Sequence, residues 1–208
     1  MNLQKINAEV NSVVLKTAEF ISEQRKSFDI NIVQEKGLNQ LVSFVDVEAE
    51  KMLVTGLRKI VPEAGFITEE NTTSDDKKSL NWIIDPLDGT TNFIHDVPVY
   101  SISIALADEK NVLCGTVYEI GRKEMFTAWK NGGAWCNGNQ IYVSKQNQLK
   151  DSLMATGFPY YDFEQMEAYL SVLKELMKKT HGLRRMGSAA VDLAYVACGR
   201  FEGFLNTV

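Results

Sequence analysis

Trp82-Ile83-Ile84-Asp85-Pro86-Leu87-Asp88-Gly89-Thr90-Thr91-Asn92 is the stretch on which the reading of this chain turns. Its three leading apolar residues read as a short strand that delivers Asp85 at its C-terminal end, where Pro86 forbids continuation in a central ladder. Asp88-Gly89 then turns the chain sharply. Thr90 and Thr91 follow with hydroxyls and backbone N–H groups at the start of a helical turn, and such an end binds anions, phosphate especially. Two carboxylates three residues apart, beside an anion-binding turn, let hard cations and a phosphate meet. Mg²⁺ suits that place, because it takes a few carboxylates and completes its coordination with water and substrate phosphate.

By itself Asp-x-x-Asp-Gly is common turn chemistry. The residues upstream change its weight. Ile67-Thr68-Glu69-Glu70 closes another expected strand and offers two further acids, and Asp46 stands just before a helix. Taken singly, the glutamates read as a solvated pair and Asp46 as a helix-start residue. Together, three acidic positions next to element ends read as one metal cluster.

Working outward, Leu3, Ile6, Val10, Val13, Val14, Thr17, Ala18 and Ile21 recur at helical spacing and predict a long amphipathic first helix. Leu41 to Val45 reads as strand or turn. Ala49, Met52, Leu53, Gly56, Leu57 and Ile60 define a second helix closed by Pro62. Asn71 to Ser79 has the composition of a surface loop. Past the central stretch the period changes to two: Ser101 to Leu106, Val112 to Tyr118 and Glu124 to Trp129 read as strands, with hairpin turns at Asn131-Gly132 and Asn137-Gly138. This middle section is expected to be an antiparallel sheet packed on the two leading helices. From Leu153 the order becomes strand, helix, strand, helix, the last helix running from about Ser188 as N-cap to Cys198, with Gly199 at C′. A boundary near residue 145 would divide a helix-plus-sheet part, 1–145, from an α/β part, 146–208.

Composition narrows the partners. The chain has 208 residues, 45% hydrophobic and 24% charged, with a formal charge of −5. That charge disfavours nucleic acid and anionic membrane as main partners. Cys114, Cys136 and Cys198 are far apart and form no CxxC pair, which argues against a zinc ribbon or disulfide framework and for reduced thiols. The N-terminus carries no signal pattern and no apolar run is long enough to span a bilayer, so the expectation is a cytoplasmic protein. His95 reads as a surface histidine or one supporting the site from behind, and His181 as a helix-terminus residue. Arg184 and Arg185 read as a solvated face rather than an anion-attracting pair or interface seal, and Trp129 and Trp135 as hairpin packing.

The segment Asp85 to Phe93 is similar to the first signature of the inositol monophosphatase family, and Glu69-Glu70 matches that family's acidic pair in order and spacing. Met186-Gly187-Ser188-Ala189-Ala190-Val191-Asp192-Leu193-Ala194 through Arg200 resembles the family's later helix. The resemblance implies an α/β (α+β) fold, a layered α-β-α-β-α sandwich of the sugar-phosphatase type with the last strands and helix missing. It implies two or three Mg²⁺ ions. Glu69, Asp85 and the backbone carbonyl of Leu87 would hold one, and Asp85 and Asp88 would share a second. Thr90 with Asp46 would position and deprotonate the attacking water, with Glu69 at the same catalytic centre. Asp88 and the backbone of Gly89 and Thr90 would meet the substrate phosphate, Ala189 would line the site for a hydroxylated ring, and Lys36 would add positive charge nearby.

The implied reaction is two-metal hydrolysis of a small phosphomonoester, inositol 1-phosphate foremost, by a lithium-sensitive homodimer. Fructose 1,6-bisphosphate, NADP and 3′-phosphoadenosine 5′-phosphate are the substrates of relatives. The family's second signature, a Trp-Asp pair beyond the strand begun near Phe201, is not reached before Val208, and an acidic substrate contact is expected where Asn206 stands. A weakened second metal site and a poorly active form follow as expectations. The contrasting reading is a non-catalytic protein that binds metal or phosphate.

Overall fold

The expected first helix forms as α1, Leu3–Lys26, in a computed structural model that describes residues 1–27, 34–37, 40–42, 44–73, 77–158 and 163–206. Asn2 caps it by accepting the Lys5 N–H at 3.0 Å. Its apolar stripe, Ile6, Val10, Val14, Ala18 and Ile21, is buried. A short antiparallel pair follows, β1 (Gln34–Gly37) and β2 (Gln40–Val42), for which the backbone alone is described. The ambiguous stretch from Leu41 thus divides: strand to Val42, then helix α2 from Phe44 to Ile60, with Ser43 outside the described residues. α2 buries Val45, Ala49, Leu53 and Leu57 on one side, and with them two acids, Asp46 and Glu50.

Both helices lie on one face of a seven-stranded sheet whose strands follow chain order: β3 (Gly65–Thr68), β4 (Leu80–Asp88), β5 (Ser101–Asp108), β6 (Val112–Glu119), β7 (Glu124–Trp129), β8 (Gly133–Cys136) and β9 (Asn139–Gln140). Only β3 and β4 pair in parallel; the rest is an antiparallel meander. Alternation along β6 shows why both faces are covered. Cys114, Thr116 and Tyr118 point to the helices, with the Thr116 hydroxyl donating to Asn11 of α1. Val117 and Glu119 point to the other side. Trp129 and Trp135 stack at 6.1 Å on the outer hairpin, where Asn131 and Asn137 adopt positive φ.

On that other side lies α5 (Ala189–Ala197), then a parallel three-stranded sheet in the order β11 (Gly182–Arg184), β10 (Leu153–Thr156), β12 (Gly203–Leu205), then α4 (Met166–Lys179). Leu153 and Ala155 of β10 pack toward α5, and Thr156 points the other way to bond Tyr169 of α4. The layers therefore run helix, sheet, helix, sheet, helix, the expected sandwich. Ser188 caps α5 through the Val191 N–H, and Gly199 follows it in the left-handed region at φ 76°.

The extent of one strand departs from expectation. The strand read as Trp82 to Ile84, stopped by Asp85-Pro86, continues to Asp88. β3 pairs with β4 only as far as Ile84, so Pro86 lies beyond the parallel ladder, and the pairing with β5 slips between Asp85 and Asp88. A missing N–H is tolerated in such an irregular, one-sided stretch.

One buried bond between the large sheet and α5 runs from Tyr195 OH, which donates to Glu119 Oε2 at 2.6 Å, and Glu119 is fully enclosed. Glu119 Oε1 has no partner among the described residues. Tyr195→Phe removes the one bond and leaves an enclosed carboxyl bare, so chemical denaturation should show a loss of about 1–3 kcal/mol. An unchanged unfolding midpoint would mean that the layers do not depend on this contact.

Candidate active site

The slip in β4 is what builds the site. It aims Asp85 and Asp88 out of the strand end, and Gly89 turns the chain into the short helix α3, Thr90–Ile94. Gly89 has φ 96°, and a Cβ there would come within 3.0 Å of the Val99 carbonyl and 3.1 Å of the Gly187 carbonyl. No other residue fits so tight a crossing at positive φ.

Asp88 reaches across to the second half of the molecule. Its Oδ2 accepts from Ser188 Oγ at 2.6 Å and from the Ala190 N–H at 2.7 Å, at the first turn of α5, where the helix dipole favours a negative charge. Ala189 stands exposed in the same turn. Asn92 repeats the link, its Nδ2 donating to the Val99 carbonyl at 2.6 Å and the Met186 carbonyl at 2.8 Å.

From the other side comes α2. Asp46 in its first turn is buried, and the Thr90 hydroxyl lies 3.2 Å from Asp46 Oδ1 and 3.0 Å from the Leu87 carbonyl. One turn further on, Glu50 is wholly enclosed and accepts the Glu70 N–H, the Thr72 N–H and the Thr72 hydroxyl at 2.7, 2.8 and 2.7 Å. Those bonds fix the loop after β3, which carries Glu69. The side chain of Lys36 lies outside the described residues.

Glu69, Asp85 and Asp88 are crowded. Burial, then Asp88, then Glu69 push the Asp85 carboxyl up to about 9, and Glu69 shares a hydrogen bond with it. Burial also raises Asp88, against the bonds from Ser188 and α5 and the charge of Arg185. Acids packed this tightly fit a divalent cation, whose charge would favour the ionised forms of Asp85 and Asp88. Among the described residues no three His, Cys, Asp or Glu side chains form a ready cage, so backbone carbonyl, water and substrate oxygens would have to complete the ligand set, as Mg²⁺ commonly allows.

The sequence profile of the inositol monophosphatase family matches residues 2–207. The chain belongs to the inositol monophosphatase family. It is 38% identical over 176 residues to an inositol-1-monophosphatase of Mesorhizobium japonicum, covering 84% of this chain and 66% of that protein. It is 39% identical over 191 residues to Nus factor SuhB of Pseudomonas aeruginosa, covering 89% and 70%. Among solved structures, the extragenic suppressor protein suhB of Bartonella henselae superimposes with a TM-score of 0.89 at 34% identity, covering 97% of this chain and 78% of that one. A Thermotoga maritima IMPase does so with a TM-score of 0.85 at 31% identity, covering 98% and 76%. The chain thus spans roughly two-thirds to four-fifths of these family members.

Three residues at this family site are given no role by the sequence: Glu50, outside the quoted motifs, and Asn92 and Asp192, inside them. Asp192 is 2% exposed, and burial followed by the Asp88 charge pushes its carboxyl up to about 7. Arg185, which reads as a surface cation, is partly buried and acts on both Asp88 and Asp192. Against this, a cavity of about 420 Å³ between α5 and strands β5 to β7 is lined by apolar side chains such as Val117, Phe126, Leu193 and Ala197, and includes none of the acids.

The raised carboxyl of Asp85 has a definite sign. The folded chain holds that proton up to about pH 9, whereas the ordinary value is 3.8, so the folded state binds more protons than the unfolded state between them. The Asp85 contribution to stability in chelator should therefore fall as pH rises from about 4 to about 9. Thermal melts of Asp85→Asn should show a shallower fall; an equally steep one would remove Asp85 as a source.

Proposed function

We propose that this chain hydrolyses a small phosphomonoester, inositol 1-phosphate foremost, in a Mg²⁺-dependent reaction. The observation that carries the reading is the contact of Thr90 with Asp46 and the Leu87 carbonyl beside the crowded pair Asp85 and Asp88. Glu69, Asp85 and the Leu87 carbonyl would hold one ion, and Asp85 with Asp88 another. A bound Mg²⁺ supplies Lewis acidity, which makes water a nucleophile near neutral pH and offsets charge on the phosphoryl oxygens.

The chain's own groups do the rest. Thr90 has one hydroxyl proton and two acceptors within reach, so it donates to one at a time. With that proton passed to Asp46, the Thr90 oxygen takes a proton from the attacking water, and Asp46 ends as the base. Burial of Asp46 keeps bulk water from competing for the transfer. The new P–O bond forms as the bond to the sugar or polyol oxygen breaks in line, and that oxygen takes a proton from solvent water and leaves as the alcohol, while Asp46 returns its proton to solvent. Backbone N–H groups of Gly89 and Thr90 hold phosphate oxygens. Ala189 is small and exposed beside Asp88, which leaves room for a hydroxylated ring.

A second reading rests on the relatives called Nus factor SuhB, named as factors rather than for hydrolysis. Under it the acids bind metal or phosphate without turnover, and protein partners matter more than a substrate.

Phosphate release from inositol 1-phosphate separates the two. The hydrolytic reading predicts Mg²⁺-dependent release that falls roughly 10²- to 10⁴-fold in Thr90→Ala. A folded wild-type chain that binds Mg²⁺ yet releases nothing supports the second reading. Equal rates with and without the ion contradict the first.

A further inference from the structure

We propose that Asp192 is a further acidic member of this site, a positioning residue whose carboxylate stands behind Asp88 and adds negative charge for the cation held there. The inference rests on the metal-binding reading of Asp85 and Asp88.

Asp192 lies in the first turn of α5, two residues beyond the Ala190 N–H that binds Asp88. An acid in a first helical turn is ordinarily a solvated partner of the helix dipole. Asp192 is different, since it is 2% exposed and its Oδ1 is enclosed with no hydrogen-bond partner among the described residues. Leaving a buried carboxylate oxygen bare is costly, and native chains keep such an atom where something else offsets it. The charges that act on it are Asp88 and Arg185. Asp88 is of like sign.

Arg185 does not complete it. Its guanidinium acts on Asp88 as well, sits 5.5 Å over the Phe158 ring, and packs where a Gly187 side chain would otherwise be. One cation is shared between the enclosed Asp192 and the half-buried Asp88, while Asp85 adds a third acid next to Asp88. A divalent ion at Asp88 supplies the missing positive charge. Such outer groups commonly change metal affinity by 10- to 100-fold without touching the ion.

The account separates Asp192 from a structural ion pair with Arg185. In chelator, Asp192→Asn keeps the shape and removes an uncompensated acid, so its melting temperature should equal or exceed that of wild type. By isothermal titration, Mg²⁺ affinity should fall about tenfold. Arg185→Gln should bind Mg²⁺ more tightly, because a competing positive charge is gone. Asp192→Asn with unchanged Mg²⁺ affinity, or with a lower melting temperature in chelator, overturns the proposal, as does weaker binding by Arg185→Gln. Wild type that binds no Mg²⁺ overturns the metal-binding reading itself, and this inference with it.

Discussion

The carboxylate of Asp88, pinned to the first turn of α5, is the contact on which the rest of the site depends. Its bonds to Ser188 and Ala190 span about a hundred residues of chain and join the end of a strand in the large sheet to the helix between the two sheets. They satisfy helix-end donors that would otherwise be bare, and they place a negative charge where the dipole favours it. Ser188 serves twice, as cap of α5 and as donor to Asp88, and it also meets Ser101 of β5 at 3.1 Å. The helix can therefore dock in one position only, and that position brings Ala189, Arg185 and Asp192 beside the acids.

A second constraint comes from α2. Asp46 and Glu50 are one helical turn apart and both face inward, but they do different work. Glu50 spends both oxygens on the loop after β3 and so fixes Glu69 relative to the sheet. Asp46 is left for the Thr90 hydroxyl. The crowding of Glu69, Asp85 and Asp88 is thus imposed from two directions, by α2 through the loop and by α5 through Asp88. Acids do not gather this way for stability, since each raises the cost of ionising the next. The arrangement makes sense as a place kept for cations.

The sequence shows much of this because the chain is punctuated there. Gly89 and the Asp-Gly turn mark where β4 ends and α3 begins, and an acid at an element end is visible as one. Helical spacing likewise gives α1, α2, α4 and α5, and period two gives the meander. What stays hidden depends on partners distant in sequence. Glu50 and Asp192 sit inside helices, where an acid is normally solvated, and only residues 70, 72 and 88 reveal them as enclosed. The one available hint is that each falls on the apolar stripe of its helix, next to Ala49 and Leu53 or to Val191 and Tyr195. Asn92 is hidden for the same reason, its partners being Val99 and Met186. β4 outruns its reading because Pro86 is a stop only where a ladder needs its N–H, and at that point the parallel neighbour has already ended.

The central claim is that these acids are held so close that a proton stands in for a cation. Calorimetric titration of the chain with Mg²⁺ at pH 8, repeated in buffers of different ionisation enthalpy, measures the protons displaced on binding. The account predicts release of roughly one proton per chain, because Asp85 keeps its proton up to about 9 until a cation takes its place. Binding with no proton released, or no binding by the folded chain, would contradict it.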